Sequence, residues 1–430
     1  MLLNQVARPV GRRRWLVVVL LSGLLVTNFV ERVNFSVAGP LLIRDLALSP
    51  AEFGFLLSAF QGAYAIAALF VGPLVDVHGS RRSLSIAAVA WSTLAIGTGL
   101  VRDFFSALVV RTALGVADAP MYPAMIKAIN AWFPDRERGT AIGICQAAFY
   151  TASGLSAPLI AVLMLAVGWP TMFVIVGIIG LIPVLAWILI YREPDDDVHL
   201  KKEEQAYIRT GQLNYGSGLA APGGAGMMRD WAGLFRKPTV LLMLASGFFL
   251  QFAMGFYLWV PVYLQQARGV SILQAGLLTA LPYIGGAVGE ILGGQISDRM
   301  VRRGIDPFRA RRATIASGAV LTALAMGLMA LADSLAAAIA LLTLGMFANG
   351  VGNGSFHILP TVIASSRRFV ASLSSIQNFG GLAALAVAPL SAGLMVEAFD
   401  SFVPVFVISG LCSVLAAWLY WFVMQRRLEL

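Results

Sequence analysis

The chain has 430 residues, 58% of them hydrophobic and 12% charged, with a mean hydropathy of +0.80. Soluble domains carry about 25% charged residues, so this composition excludes a water-soluble globule and describes an integral membrane protein. The net charge of +9 lies in the loops between apolar stretches, where anionic lipid is the expected neighbour and nucleic acid is not.

Stretches of about 20 apolar residues, enough to cross a bilayer as a helix, are centred near residues 25, 65, 92, 116, 152, 180, 251, 284, 322, 347, 382 and 412. They predict an all-α membrane fold of twelve transmembrane helices in two six-helix bundles, residues 1–191 and 238–430. Residues 192–237, with Arg-Glu-Pro-Asp-Asp-Asp at 192–197 and a Gly-rich run at 216–226, form the linker between them. The first apolar stretch lacks a small-residue cleavage site and carries Glu31-Arg32, so it reads as a retained helix.

When the loops are numbered alternately, the side holding both termini carries 25 of the 31 Lys and Arg, and the opposite loops carry three, Arg44, Arg102 and Arg268. By the positive-inside tendency both termini are cytoplasmic, as expected of a multi-pass protein of the cell membrane, the inner membrane in a bacterium. The bundles echo each other at one loop: Gly72, Asp76, Gly79, Arg81 and Arg82 follow the second helix, and Gly294, Asp298, Arg299, Arg311 and Arg312 follow the eighth. An Asp at such a helix end can bond neighbouring amides while arginines reach carboxylates or lipid phosphates, so these residues are candidates for conformational gating.

Two pairs of opposite charge lie inside apolar stretches, Glu31-Arg32 in the first and Arg111 with Asp118 in the fourth. An ionised group at membrane depth costs roughly 2.5–3.5 kcal/mol on insertion scales, so such residues face cavities, pair, and mark transport pathways. Spacings of four and seven put Arg111, Gly115 and Asp118 on one helix face. Tyr64, Gln146, Tyr150, Tyr257 and Trp259 supply polar and aromatic groups at corresponding depth, and helices ten and eleven add His357 and Asn378 as candidate substrate contacts. Cys145 and Cys412 sit in apolar stretches and read as small buried hydrophobes rather than as a disulfide or metal ligands; no cofactor other than a coupling proton is expected.

The twelve helices, the long central loop and the Gly-x-x-x-Asp loop at 72–82 resemble the major facilitator superfamily. Within it, Glu31-Arg32-Val33-Asn34-Phe35-Ser36, the run from Arg111 to Pro120 and Trp132-Phe133-Pro134-Asp135-Arg136-Glu137-Arg138-Gly139-Thr140 resemble the anion:cation symporter family. That family includes proton-coupled importers of galactonate, glucarate, hexuronates and other carboxylates. Its first motif usually has Asp where this chain has Glu31, and its second usually has Glu where this chain has Asp118. Phe29 stands where a tyrosine is common.

The resemblance implies import of an organic anion with a proton by alternating access, the halves rocking about a site near the midplane. Arg32 is expected to take the substrate carboxylate, since a guanidinium matches it bidentately. Asp118 is expected to be the main coupling acid, and Glu31 the gate partner of Arg111. Burial favours an acid's neutral form and a nearby arginine its ionised form, so an acid between the two can load and release a proton. A monomer suffices for this scheme. The nearest rival is a proton-driven exporter of drugs or metabolites on the same fold, and a transporter-like anion sensor is a reading of a different class. A pump driven by ATP is disfavoured by the lack of a phosphate-binding Gly-x-x-x-x-Gly-Lys loop, and an enzyme by the lack of a nucleophile or metal constellation.

Overall fold

A computed structural model describes residues 11–212, 236–363 and 370–424. The described residues form a helical bundle. The first half comprises α1 (Arg13–Val37), the short α2 (Gly39–Asp45), α3 (Pro50–Thr98), α4 (Phe104–Asp118), α5 (Met121–Trp132) and α6 (Asp135–Ile190), followed by α7 (Lys202–Thr210). The second half comprises α8 (Pro238–Phe256), a 3-10 turn Tyr257–Trp259, α9 (Val260–Gln266), α10 (Ile272–Arg302), α11 (Pro307–Met329), α12 (Leu335–Phe356), α13 (Leu359–Ile363), α14 (Val370–Phe399) and α15 (Val403–Trp418), which ends in a π-helical turn, Leu419–Val423.

Among the described residues, ten helical segments are long and apolar enough to cross a membrane. Two of them are double. At about 1.5 Å per residue, the 49 residues of α3 would run far beyond a core of about 30 Å. Gly79, at φ 75° and ψ 165°, breaks α3 into two arms, and Gly168, at φ 78° and ψ 159°, does the same in the 56-residue α6. Only glycine adopts such angles at little cost. Two broken helices thus bring ten segments to twelve crossings.

The starts of several helices are written locally. Ser49-Pro50-Ala51-Glu52 closes a capping box on α3, Asp103 and Ser106 do so on α4, and Ser271 with Gln274 on α10. Asp306 and Ser334 cap α11 and α12. Lipid-length apolar runs therefore begin at defined residues.

The packing differs between the two ends of the bundle. At the end nearest the N-terminus the halves have separate cores. One is built from Val17 to Ile208 around Trp91, Trp132 and Trp187, and the other from Val240 to Met424 around Phe308, Phe356 and Tyr420. Toward the far end a single core takes residues from both halves, among them Phe35, Phe53, Trp169, Trp259, Val262 and Phe406. Cross-half bonds seal it: the Leu390 amide donates to Ser58 Oγ at 2.9 Å, the Ala51 amide to Glu397 at 3.0 Å, and Ser36 Oγ to the Leu258 carbonyl. A Cβ on Gly54 would meet the Pro389 carbonyl at 2.5 Å, and one on Gly276 the Ala157 carbonyl at 2.9 Å. The halves are joined at the far end and separate toward the end carrying the N-terminus.

The segment after α6 is bonded to the first half. Glu204 on α7 accepts from the amides of Arg13 and Arg14 at 3.2 Å each and from Arg14 Nη1 at 2.9 Å. It thereby satisfies amides that the start of α1 leaves open. Arg13 pairs with Asp197 at 2.9 Å, and Arg14 also pairs with Glu137 at 2.8 Å. Gln212 Nε2 donates to the carbonyls of Asn130, Ala131 and Phe133 at 3.0–3.2 Å, capping the end of α5. The Gly-rich run at 216–226 lies outside the described residues.

Candidate functional site

Asn28, Arg32 and Phe35 follow one another at i, i+4 and i+7 on α1 and share the face that meets α4. There Arg32 Nε donates to Asp118 Oδ2 at 3.1 Å; Asp118 is 2% exposed and the Arg32 side chain 20%. The Arg32 guanidinium carbon lies 4.7 Å from the ring centre of Tyr64, 5.1 Å from that of Phe29 and 5.3 Å from that of Phe60. Arg111, seven residues before Asp118 and 3% exposed, stands over Phe35 at 4.3 Å and Phe60 at 4.4 Å. Two guanidiniums thus rest on one aromatic shelf, where ring faces attract cations most strongly when water is excluded.

Close helix packing makes this possible. A Cβ on Gly115 would lie 2.9 Å from the Tyr64 amide nitrogen, so only glycine lets α4 press its Arg111–Asp118 face against α3. The site's hydrogen bonding is incomplete: Asp118 Oδ1, Arg111 Nε, Asn28 Nδ2 and both Glu31 oxygens are buried without a partner. Such atoms each cost of order 1–3 kcal/mol and are the groups a bound anion or proton would engage.

The pairing differs from the expectation in two respects. Asp118 is bonded to Arg32, not to Arg111 on its own helix, because seven residues of helical rise separate the latter two while α1 brings Arg32 alongside. Glu31 does not meet Arg111 either; its carboxyl lies beside Ser92 and Gly180, between α3 and α6.

Of the aromatic candidates, Tyr64 joins the shelf. Tyr257 and Trp259 do not: they are 2% and 0% exposed, with their polar tips committed to the carbonyls of Leu342 at 2.9 Å and Pro389 at 3.1 Å. Both act as packing anchors of the core that the two halves share, Trp259 lying edge-on to Phe53 at 5.1 Å. Gln146 is half-buried on α6, and the side chain of Tyr150 lies outside the described residues. His357 is exposed just past the end of α12, its ring edge-on to Phe356 at 5.2 Å, and Asn378 is exposed on α14. His357 therefore sits toward the separated end of the bundle, away from the arginine shelf. Sequence reasoning missed Phe35 and Phe60, which bear the arginines. Aromatics in apolar stretches carry no periodic mark that separates a shelf from a lipid-facing ring.

The repeated loop makes bonds within each half. Lys127 Nζ donates to the carbonyls of Val75 and Asp76 at 3.0 and 2.9 Å and approaches Asp76 Oδ1 at 3.4 Å, so it caps the first arm of α3. Arg81 reaches the Ile188 carbonyl at 3.0 Å, and Asp298 pairs with Arg311 at 2.6 Å. Gly72 has open space beside it, Gly79 forms the turn, and Arg82 and Arg299 are exposed. Among the described residues no cluster of His, Cys, Asp and Glu is arranged to hold a metal.

The Major Facilitator Superfamily profile matches residues 16–376. The chain is 32% identical over 406 residues to a probable L-galactonate transporter of Escherichia coli strain K12, covering 94% of this chain and 88% of that protein. It is 30% identical over 414 residues to a probable galactarate/D-glucarate transporter, GudP, of Bacillus subtilis strain 168, covering 92% and 89%. Among solved structures, a bacterial homologue of the human lysosomal transporter Spinster, inward-facing and occupied, superposes with a TM-score of 0.78 at 19% identity, covering 97% of this chain and 98% of that one. The superfamily profile, the sugar-acid transporters alike over nearly the whole length and the shared fold agree: the chain is a membrane transporter, not an enzyme, and belongs to the Major Facilitator Superfamily.

Proposed function

We propose that this protein is a secondary active transporter that brings a hydroxylated organic anion, a sugar acid or related carboxylate, into the cell together with a proton. The observation that carries this reading is the Arg32–Asp118 pair at 3.1 Å on an aromatic shelf beside the buried Arg111. The names of its relatives, transporters of L-galactonate and of galactarate or D-glucarate, support the substrate class. The excess of Lys and Arg on the side holding the termini supports a cytoplasmic N-terminal end. The separated cores then belong to a state open to the cytoplasm and closed outside.

The chemistry is an exchange of partners. The Arg32 fork is held by Asp118 when no substrate is present. A proton on Asp118 ends that claim and leaves the guanidinium for the incoming carboxylate, which it accepts bidentately. Arg111 adds a second positive charge nearby without forming its own ion pair in this state. Phe29, Phe60 and Tyr64 keep water from the exchange and confine the Arg32 planar group. In the cytoplasm-open state Asp118 releases its proton, recaptures Arg32 and expels the anion. Glu31 is a second acid within the electrostatic reach of both Arg32 and Asp118, and it responds to the same exchange. Opening to the outside requires breaking the far-end bonds at Ser36, Ser58 and Glu397, while the separated cores come together. A monomer in the bilayer performs all of these steps with the proton as its coupling ion.

The test is uptake by the purified protein in liposomes, screening labelled hexonates, hexuronates, aldarates and simple carboxylates with and without an inward proton gradient. The expected result is gradient-driven accumulation of a sugar acid that Asp118→Asn abolishes while leaving exchange across equal pH. Accumulation indifferent to the gradient, or unchanged in Asp118→Asn, would overturn proton coupling through this acid.

A further inference from the structure

Adjacent residues of α1 serve two different places. Arg32 faces α4 and Asp118, whereas Glu31, about 100° round the helix, enters a cleft between the second arms of α3 and α6. A Cβ placed on Gly180 would stand 3.4 Å from Glu31 Oε1 and 3.2 Å from Ser92 Oγ, so the carboxyl and the hydroxyl flank a space one methyl group wide. Glu31 is 7% exposed and Ser92 0%; both oxygens of the acid and the serine hydroxyl are buried without a hydrogen-bond partner. These unpartnered groups, from two helices, converge on the spot that Gly180 of a third leaves vacant.

We infer that Ser92 and Gly180 are positioning residues that form a separate station for the Glu31 carboxyl, outside the Arg32–Asp118 pair. A carboxylic acid can donate to the Ser92 hydroxyl there, and a hydroxyl can donate back to its carbonyl oxygen. The charged groups acting on Glu31 are Asp118 from α4 and Arg32 from its own helix. From α3 and α6 it meets Ser92 and Gly180, neither of which titrates. The hydroxyl station suits the protonated form of the acid, while the nearby positive charge of Arg32 favours the ionised one. Its length matters, because an aspartate at position 31 would fall about one methylene short of the cleft, while any side chain at 180 would take the space.

The inference rests on the reading of Glu31 as an acid that carries a proton during transport. It is tested without a substrate by infrared difference spectroscopy of the full-length protein in liposomes across a pH titration. The carbonyl band of protonated Glu31 is identified by its loss in Glu31→Gln. The expected result is that Ser92→Ala moves this band to higher frequency, as loss of a hydrogen bond does, and that Gly180→Ala displaces its titration midpoint by a pH unit or more. In Glu31→Asp, Gly180→Ala adds no further displacement, because the shorter acid has already left the station. A Glu31 band that titrates but is identical in Ser92→Ala and Gly180→Ala overturns the station while leaving the coupling role of Glu31 in place. If no titrating band disappears in Glu31→Gln, the coupling role of Glu31 fails and the station fails with it. Ser92→Ala removes one oxygen from a buried site and creates no overlap, so it decides the matter even if Gly180→Ala does not fold.

Discussion

The interiors of the two bundles are built on different principles. In the first, the groups at depth are charged: Arg32 is bonded to Asp118, Arg111 lies over Phe35 and Phe60, and Glu31 is set apart in its cleft. In the second, several buried polar contacts are made by amides. Asn349 donates to the Leu250 carbonyl at 3.2 Å, Asn353 to Asn349 at 2.9 Å, and Gln377 to the Phe356 carbonyl at 2.6 Å. Its α10 and α12 also meet backbone to backbone, where a Cβ on Gly293 would lie 2.6 Å from Val351 Cα and one on Gly350 2.9 Å from the Glu290 nitrogen. An amide lattice keeps its bonds whatever proton or anion is present, whereas an ion pair changes with both. On the proposed mechanism the first bundle is therefore the part that senses the ligand, and the second the firm body against which it moves.

The sharpest way to break this contrast is to remove a charge from the first bundle. Arg32→Ala leaves Asp118 buried without its cation, a change worth about 3–5 kcal/mol, and equilibrium binding of a transported sugar acid should weaken by at least 100-fold. Next is overpacking of the second bundle. Gly293→Ala should destabilise it by about 1–3 kcal/mol, read as a lower unfolding temperature in detergent, while Gly72→Ala, with open space beside it, should unfold like the parent. A smaller effect follows from Gln377→Ala, which leaves the end of α12 without its amide. Thermal unfolding should register about 1–3 kcal/mol, with the affinity for anion almost unchanged; a loss of affinity as large as that of Arg32→Ala would end the division of labour. The smallest is Lys127→Met on α5, whose partner Asp76 is exposed, expected to cost under about 1 kcal/mol and to leave uptake within two-fold of the parent.

Much of the architecture is legible in the chain. Apolar runs of bilayer length mark the crossings, while the reversals at Gly79 and Gly168 appear only in the fold. Arg32, Arg111 and Asp118 stand out because charge is rare at that depth, and the fold does gather them. Which of them bond was not legible, because spacing along a helix fixes a face but not the neighbour that face will meet. Arg111 and Asp118 share a helix face, yet the short distance runs from Arg32 across to α4. The same reason hid the Glu31 cleft, whose walls come from residues 61 and 149 positions further along. Tyr257 and Trp259 have the composition of ligand contacts, but only the folded packing reveals that backbone carbonyls already hold their polar tips.

The fastening of α7 carries a consequence for watching the protein move. Because Glu204 holds the start of α1 and Gln212 the end of α5, the chain up to residue 212 travels as part of the first bundle. A dye on exposed Lys202 is then an optical marker for that body, and one on exposed Arg303, after α10, for the other. Energy transfer between dyes on cysteines placed at these two sites would read the distance between the bundles, with no label near the anion and no dependence on knowing which anion it is.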